Sequence, residues 1–437
     1  LQRYFLLPKP HADPFQLEPD YFQAWCQNRN QLRYFFVFVA KVKYLRMDNK
    51  IYLHTHPLWL LGFRPFFSLA ILSGLSLPVL WALIHAGVIA APKTTFSMVQ
   101  WHAHEMFFGF GWAVLGGFLL TATKNWVKVR GYYGYSLMFL VAAWLFDRAG
   151  MWFQEVWPPL LFRISSNLFM AAILAMLAWT LISKLKEDAH YRENYFLLLI
   201  LPIFLLSKNL MLSADYYQIG WSMTVGLFRV VFLFMLERML SQFMRAAFQV
   251  AILRNPVLNE AIKYLGLLLV FASLMPPQVS GWIALLLALL LAGRFIFWKP
   301  QLAMRRLDIG IMYLGYLAII AQLLIEFLRQ TIHPEWPVSV SIHVFTFGVM
   351  DLIIPTMMIR ISKGHTGRKV AFDLFDKLAL WVMVLAFVLR IIAPLLLPAG
   401  YAFWIYLSAS CWFICFALQT WRYIPYLVQP RIDAREH

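Results

Sequence analysis

Charge is what this sequence has least of. Only 14% of its 437 residues are Asp, Glu, Lys or Arg, against 61% hydrophobic, and a soluble domain so poor in charge could not cover its own surface. Acids are scarcer still, 21 against 38 Lys and Arg, which leaves a net charge of +17. In a soluble protein that excess would raise the question of nucleic acid. Here the basic residues sit between apolar runs, which excludes a nucleic-acid partner and makes them topology signals and contacts for lipid headgroups. Cysteine is nearly absent. Cys26, Cys411 and Cys415 offer neither a disulfide framework nor zinc spacing, and Cys411 and Cys415 share a helix face where a buried thiol packs as a small hydrophobe. Long polar stretches, low-complexity runs and a convincing repeat between the two halves are missing as well, so no soluble domain is expected.

What remains is a series of apolar runs near the length of about 20 residues that a helix needs to cross a bilayer, twice what a barrel strand needs. The fold class is all-α, a polytopic membrane bundle. Twelve spans are predicted, at roughly 66–88, 98–123, 133–153, 158–183, 195–213, 219–243, 259–275, 279–298, 308–329, 337–359, 375–395 and 402–421, with boundaries uncertain by about two to four residues. Basic residues follow the even spans: Lys124, Lys128 and Arg130; Lys184, Lys186 and Arg192; Arg245 and Arg254; Lys299, Arg305 and Arg306; Arg360, Lys363, Arg368, Lys369 and Lys377. The loops after odd spans have almost none, Lys93 excepted. That alternation is the positive-inside pattern for an even number of helices with both termini cytoplasmic. Residues 1–50, broken by Pro8, Pro10, Pro14 and Pro19, read as an N-terminal extension, disordered or arising from a misplaced start. Residues 51–430 read as one transmembrane domain and 431–437 as a cytoplasmic tail.

Topology gives each histidine a depth. Ser97 and Gln100 form the pattern of a capping box, so the second span starts near 97 and places His102 and His104 about 7 to 11 Å along it at 1.5 Å per residue. Pro334 and Pro337 mark the start of the tenth span, which puts His343 about 9 Å along that helix by the same rise. Both helices enter from the outside, so His102 and His343 lie at matching depth and are the expected ligands of a haem or metal, with hydrogen-bonded structural roles as the alternative. His104 points away from His102, because side chains two apart on a helix do not face each other. His102, Glu105, Met106, Gly109, Ala113 and Gly116 are predicted to share one face, a strip of small residues below polar groups that suits either a neighbouring helix or a flat cofactor. The metal candidates are therefore His102, His104, Glu105, Met106 and His343; imidazole suits haem iron, copper or zinc, and a thioether suits copper. His85 and His333, at helix ends, are weaker candidates.

Other polar groups accompany this layer. Arg148, Lys208 and Arg390 fall in the outer halves of spans three, five and eleven, Arg229 near the middle of span six and Glu326 near the outer end of span nine. Buried guanidinium groups need carboxylate or carbonyl partners, so Arg148, Arg229 and Arg390 are candidates to hold a cofactor's carboxylates, with Glu326 and Asp147 as the competing internal partners. Asp351, eight residues past His343, is placed deeper, in a proton path or an ion pair. Gly364-His365-Thr366-Gly367-Arg368 reads as a tight turn.

Several pieces together resemble the NnrS family of bacterial inner-membrane proteins: Phe63-Arg64-Pro65-Phe66-Phe67 before the first span, Trp101-His102-Ala103-His104-Glu105-Met106, Thr121-Ala122-Thr123-Lys124-Asn125-Trp126, and His343 with Arg360 and Gly364 to Arg368. The likeness runs from about Leu58 to Thr420. Around Glu237 to Phe243 the family tends to Arg-x-x-Pro-Phe-Phe, and here the proline is absent. The resemblance implies a haem- and copper-containing protein of the bacterial inner membrane, tied to nitric oxide metabolism, denitrification and relief of nitrosative stress, with nitric oxide as small-molecule ligand and an electron donor as partner. Two other classes fit twelve helices: a secondary transporter, whose polar groups should cluster at the bilayer midplane, and a divergent relative of haem-copper oxidases or nitric oxide reductases, for which intramembrane histidines are few.

Overall fold

A computed structural model describes residues 53–184 and 191–433. The extension 1–50, Cys26, Lys186 and the end of the tail lie outside the described residues. Among those described there is no strand, and the chain forms twelve long helices. These are α1 (Phe63–His85), α2 (98–126), α3 (Tyr135–Trp152), α4 (Pro159–Ser183), α5 (Tyr191–Met211) and α6 (Tyr217–Phe248), followed by α7 (Pro256–Leu274), α8 (Pro277–Phe297), α9 (Leu307–Thr331), α10 (Val338–His365), α11 (Leu374–Leu396) and α12 (Tyr401–Val428). Eleven are long and apolar enough to cross a membrane. The exception, α3, is present as a full helix, but Asp147 and Arg148 lower its mean hydropathy. The protein is a multi-pass membrane protein built as an all-α bundle.

The helix starts follow from local chemistry. Pro159, Pro256 and Pro277 stand in the first turn of α4, α7 and α8, and Pro337 immediately precedes α10; proline there removes an N–H that no helical carbonyl would accept. At the start of α2 the predicted capping box is complete, with Gln100 N donating to Ser97 Oγ at 3.2 Å and Ser97 N donating to the Gln100 side chain at 2.9 Å.

Consecutive helices run antiparallel, and the ends of the domain meet. Phe63 N at the start of α1 donates to Thr121 Oγ1 near the end of α2, and Arg64 reaches the carbonyls of Leu427, in the last turn of α12, and of Gln429 just past it. Arg431 donates to the carbonyl of His365 at the end of α10. Gly367, at φ +81°, turns the chain out of α10 where a Cβ would run into Asp433, the tight turn expected there. At the opposite end Lys93 bonds to Trp152 and Glu155. α12 packs on α1 and α11, α8 on α9, α5 on α6, and α3 on α4. Burial ranks the helices: the most apolar stretch of α2 is 83% buried and those of α10 and α6 are 78% and 72%, against 22% for α7 and α11. α2, α6 and α10 therefore form the interior, and α7 and α11 present most of their surface outward.

Candidate functional site

A cavity of about 360 Å³ lies between α2 and α10, near the end of the bundle where both begin. His102 and His343, 241 positions apart in the chain, both line it. Its other walls are largely aromatic, from Trp81 of α1, Trp221 of α6, Phe347 of α10 and Trp412 of α12. The His102 ring stacks on Trp81 with centroids 4.4 Å apart. Met106, one turn below His102, belongs to the same wall.

The His343 ring is held at both nitrogens. Nδ1 lies 2.6 Å from the Ser339 carbonyl and so carries the proton, and Nε2 accepts from Arg390 at 3.1 Å. This is the neutral tautomer with the Nε2 lone pair taken by Arg390, so a metal could be ligated there only after Arg390 has moved off it. Arg390 also lines the cavity and donates to Tyr401 Oη. On the cavity wall below, Asp351 accepts from Trp412 Nε1 at 2.9 Å and joins no ion pair among the described residues. Of the two roles foreseen for it, the ion pair is not formed.

Three π-helical segments occur among the described residues, Glu105–Gly111 in α2, Thr346–Met350 in α10 and Val388–Ile392 in α11. Each contributes to this cavity, through Met106, Phe347 and Arg390 among others. A π turn widens the helix and breaks its regular register, a device concentrated at functional sites.

The predicted face of α2 also resolves differently. His102 and Met106 look into the cavity, whereas Glu105 and Gly109 turn to α3. An ideal helix already sets residue i+3 about 60° off residue i at 3.6 residues per turn, which turns Glu105 toward α3, and the π turn that starts there shifts the register only beyond it. Glu105 accepts from Arg148 at 2.7 Å and lies 3.3 Å from His104 Nδ1; Arg148 in turn donates to Asp147, which also accepts from Lys208 at 2.5 Å. His104, Asp147 and Lys208 are almost fully buried. The strip of small residues serves helix packing, since a Cβ on Gly109 would lie 2.5 Å from Arg148 and one on Gly116 would lie 2.7 Å from Ile173 of α4. Trp144 of α3 donates to the Gly109 carbonyl within the π turn.

Of the predicted site residues, then, His102, Met106, His343 and Arg390 come together, and His104, Glu105 and Arg148 form a separate buried ion cluster. Arg229 lines an adjoining cavity and donates to Gln322. His85 contacts Tyr406, and His333 contacts Glu335; neither lines the histidine cavity. Cys411 and Cys415 are free, buried and clear of the cavity. Among the described residues no group of three His, Cys, Asp or Glu side chains is placed to hold a metal ion. Trp81, Trp221 and Trp412 were not foreseen as cavity residues, and nothing in the sequence separates them from the other tryptophans.

Residues around Glu237, where the sequence departs from the resembled family, are used structurally. Glu237 binds Arg254 and Asn259, and Phe243 lies under the Arg360 guanidinium. No curated protein matches the chain. A family model described as NnrS protein matches residues 57–431, nearly the whole described bundle. The chain belongs to the NnrS family, a membership that fits a membrane protein related to nitric oxide.

Proposed function

We propose that this protein binds haem in the cavity between α2 and α10 and serves nitric oxide metabolism or protection from nitrosative stress in the bacterial inner membrane. The observation that carries the proposal is the convergence of His102 and His343 on one aromatic-walled cavity, at a volume within the range of about 300–1,000 Å³ usual for small-molecule sites. His102 and His343 would hold the iron, with Arg390 released from His343 Nε2 to take a haem carboxylate. Bound haem supplies an iron that takes nitric oxide and cycles by one electron. The protein's own part is to fix the His343 tautomer through the Ser339 carbonyl, to exclude water with Trp81, Trp221, Phe347 and Trp412, and to keep a carboxyl, Asp351, at the wall as a proton donor or acceptor.

Copper finds a poorer fit. Met106 shares the cavity with His102 and His343, but His104 and Glu105, the other two residues expected to serve a metal, are committed to the ion cluster with Arg148. The basic loops lie at the end of the bundle that carries Lys124, Lys363 and Arg368, and the positive-inside rule makes that end cytoplasmic. The two histidines then lie in the outer half, within two turns of the starts of α2 and α10, the cavity extends inward to Phe110 and Asp351, and nitric oxide can enter from the lipid or the outer face. A transporter's site belongs at the midplane instead.

Iron and copper analysis with an optical spectrum on one purified sample tests the proposal. Bound iron and a haem absorption band that moves when nitric oxide is added are expected. A colourless, iron-free protein from cells supplied with haem precursor would refute it, and nitric oxide consumption with an electron donor on the same sample decides whether the protein is an enzyme.

A further inference from the structure

A second cavity, of about 400 Å³, adjoins the histidine cavity, and Gln218, Trp221, Val338 and Ile342 line both. Its three charged lining residues are Arg229, Glu326 and Arg329. Arg229 is only 5% exposed and sits mid-helix in α6. Its guanidinium donates to the neutral Gln322 side chain at 2.9 Å, its Nε is buried with no protein partner, and it forms no ion pair among the described residues. Glu326 is already engaged by Arg329 and Gln330, each at 3.1 Å, and by the Ser341 hydroxyl. The Arg329 Nε is also buried without a protein partner. Two guanidinium groups therefore face one carboxylate, and a single positive charge is left uncompensated where a lone buried ion is costly.

We propose that this second cavity binds one singly charged oxyanion or carboxylate, held by Arg229 and Arg329. A planar anion of that class matches the forked donors of a guanidinium, and one negative charge neutralises the cavity. The oxyanion could be free, of the kind formed when nitric oxide is oxidised, or a carboxylate arm of a cofactor in the adjoining cavity; only the second occupant rests on the haem reading. The site is wired to the first: Arg229, Gln322, Ser341 and Glu326 form one hydrogen-bonded chain, and Ser341 stands two residues before His343 on α10.

Calorimetric titration of the purified full chain with sodium nitrite, against sodium chloride at equal ionic strength, tests the site. Two variants accompany the wild type, Arg229→Gln and Gln322→Glu; the second leaves the arginine in place and gives it an internal carboxylate, so it should fold where the first fails. If the occupant is a free oxyanion, nitrite binds saturably and both variants weaken it by about tenfold or more, the scale of a lost charge-assisted contact. If the occupant is a cofactor carboxylate, nitrite gives no heat and both variants retain less haem than the wild type. Absence of nitrite binding in the wild type, with haem content unmoved by either variant, overturns the proposal. A preparation without haem that still binds nitrite in an Arg229-dependent way sinks the haem reading and leaves this site standing.

Discussion

His343 is bound through one nitrogen to the Ser339 carbonyl and through the other to Arg390 on the cavity wall, while His104, in the same layer, lies beside Glu105 within a closed set of charges. The two histidines should therefore respond differently to the same kind of change. Glu105→Gln removes the carboxylate that Arg148 contacts at 2.7 Å and leaves a buried guanidinium with one partner fewer. Breaking such a pair costs about 3–5 kcal/mol, so a lowered melting temperature is expected with the spectrum of any bound chromophore unchanged. A spectral change without loss of stability would place Glu105 at the cofactor instead. Asp351→Asn keeps the hydrogen bond from Trp412 Nε1 but removes the titrating carboxyl. Chromophore content should hold, and any nitric oxide turnover in steady-state assays should fall by about tenfold or more, the contribution of a positioned proton-transfer group. Unchanged turnover would assign Asp351 to packing.

At the level of elements, the start of α2 was legible in the residues themselves, because Ser97 and Gln100 satisfy each other's backbone groups. Ser97→Ala should lower stability by about 1 kcal/mol, measurable as a drop in melting temperature that Ser97→Asp restores. The π turns were not legible. An extra residue in a helical turn leaves no compositional mark, and grouping Glu105 with His102 by their i, i+3 spacing passes over the 60° that 3.6 residues per turn already puts between them. Tertiary partners decide the matter: Arg148 draws Glu105 to α3, and Trp144 binds the Gly109 carbonyl. Deleting Val349 should collapse the π turn of α10 to ordinary helix with register kept on either side. Unaltered far-ultraviolet circular dichroism with lost chromophore is expected; retained chromophore would show the π turn to be incidental.

For the whole molecule, the apolar runs and the charge alternation in the loops agreed on twelve helices, and even the least apolar of them, α3, is present because Asp147 and Arg148 are paired inside the bundle rather than set in lipid. His102 and His343, at matching depth but distant in the sequence, likewise line one cavity. The company they keep is not legible in the residues. Trp81, Trp221 and Trp412 come from three other helices, and only packing selects them among 18 tryptophans. The orientation can be checked with Cys-substituted chains lacking the native thiols. A membrane-impermeant thiol reagent applied to intact cells should label Lys93→Cys and leave Lys128→Cys unlabelled; the reverse would turn the cavity toward the cytoplasm.

On the proposed function, His102 and His343 together hold an iron centre that meets nitric oxide. The optical spectrum of the purified protein, reduced and then exposed to nitric oxide, for the wild type beside His102→Ala and His343→Ala, addresses it directly. A haem band that shifts with nitric oxide in the wild type and is lost or displaced in each variant is the predicted result. Full haem content with unchanged spectra in both variants would contradict it.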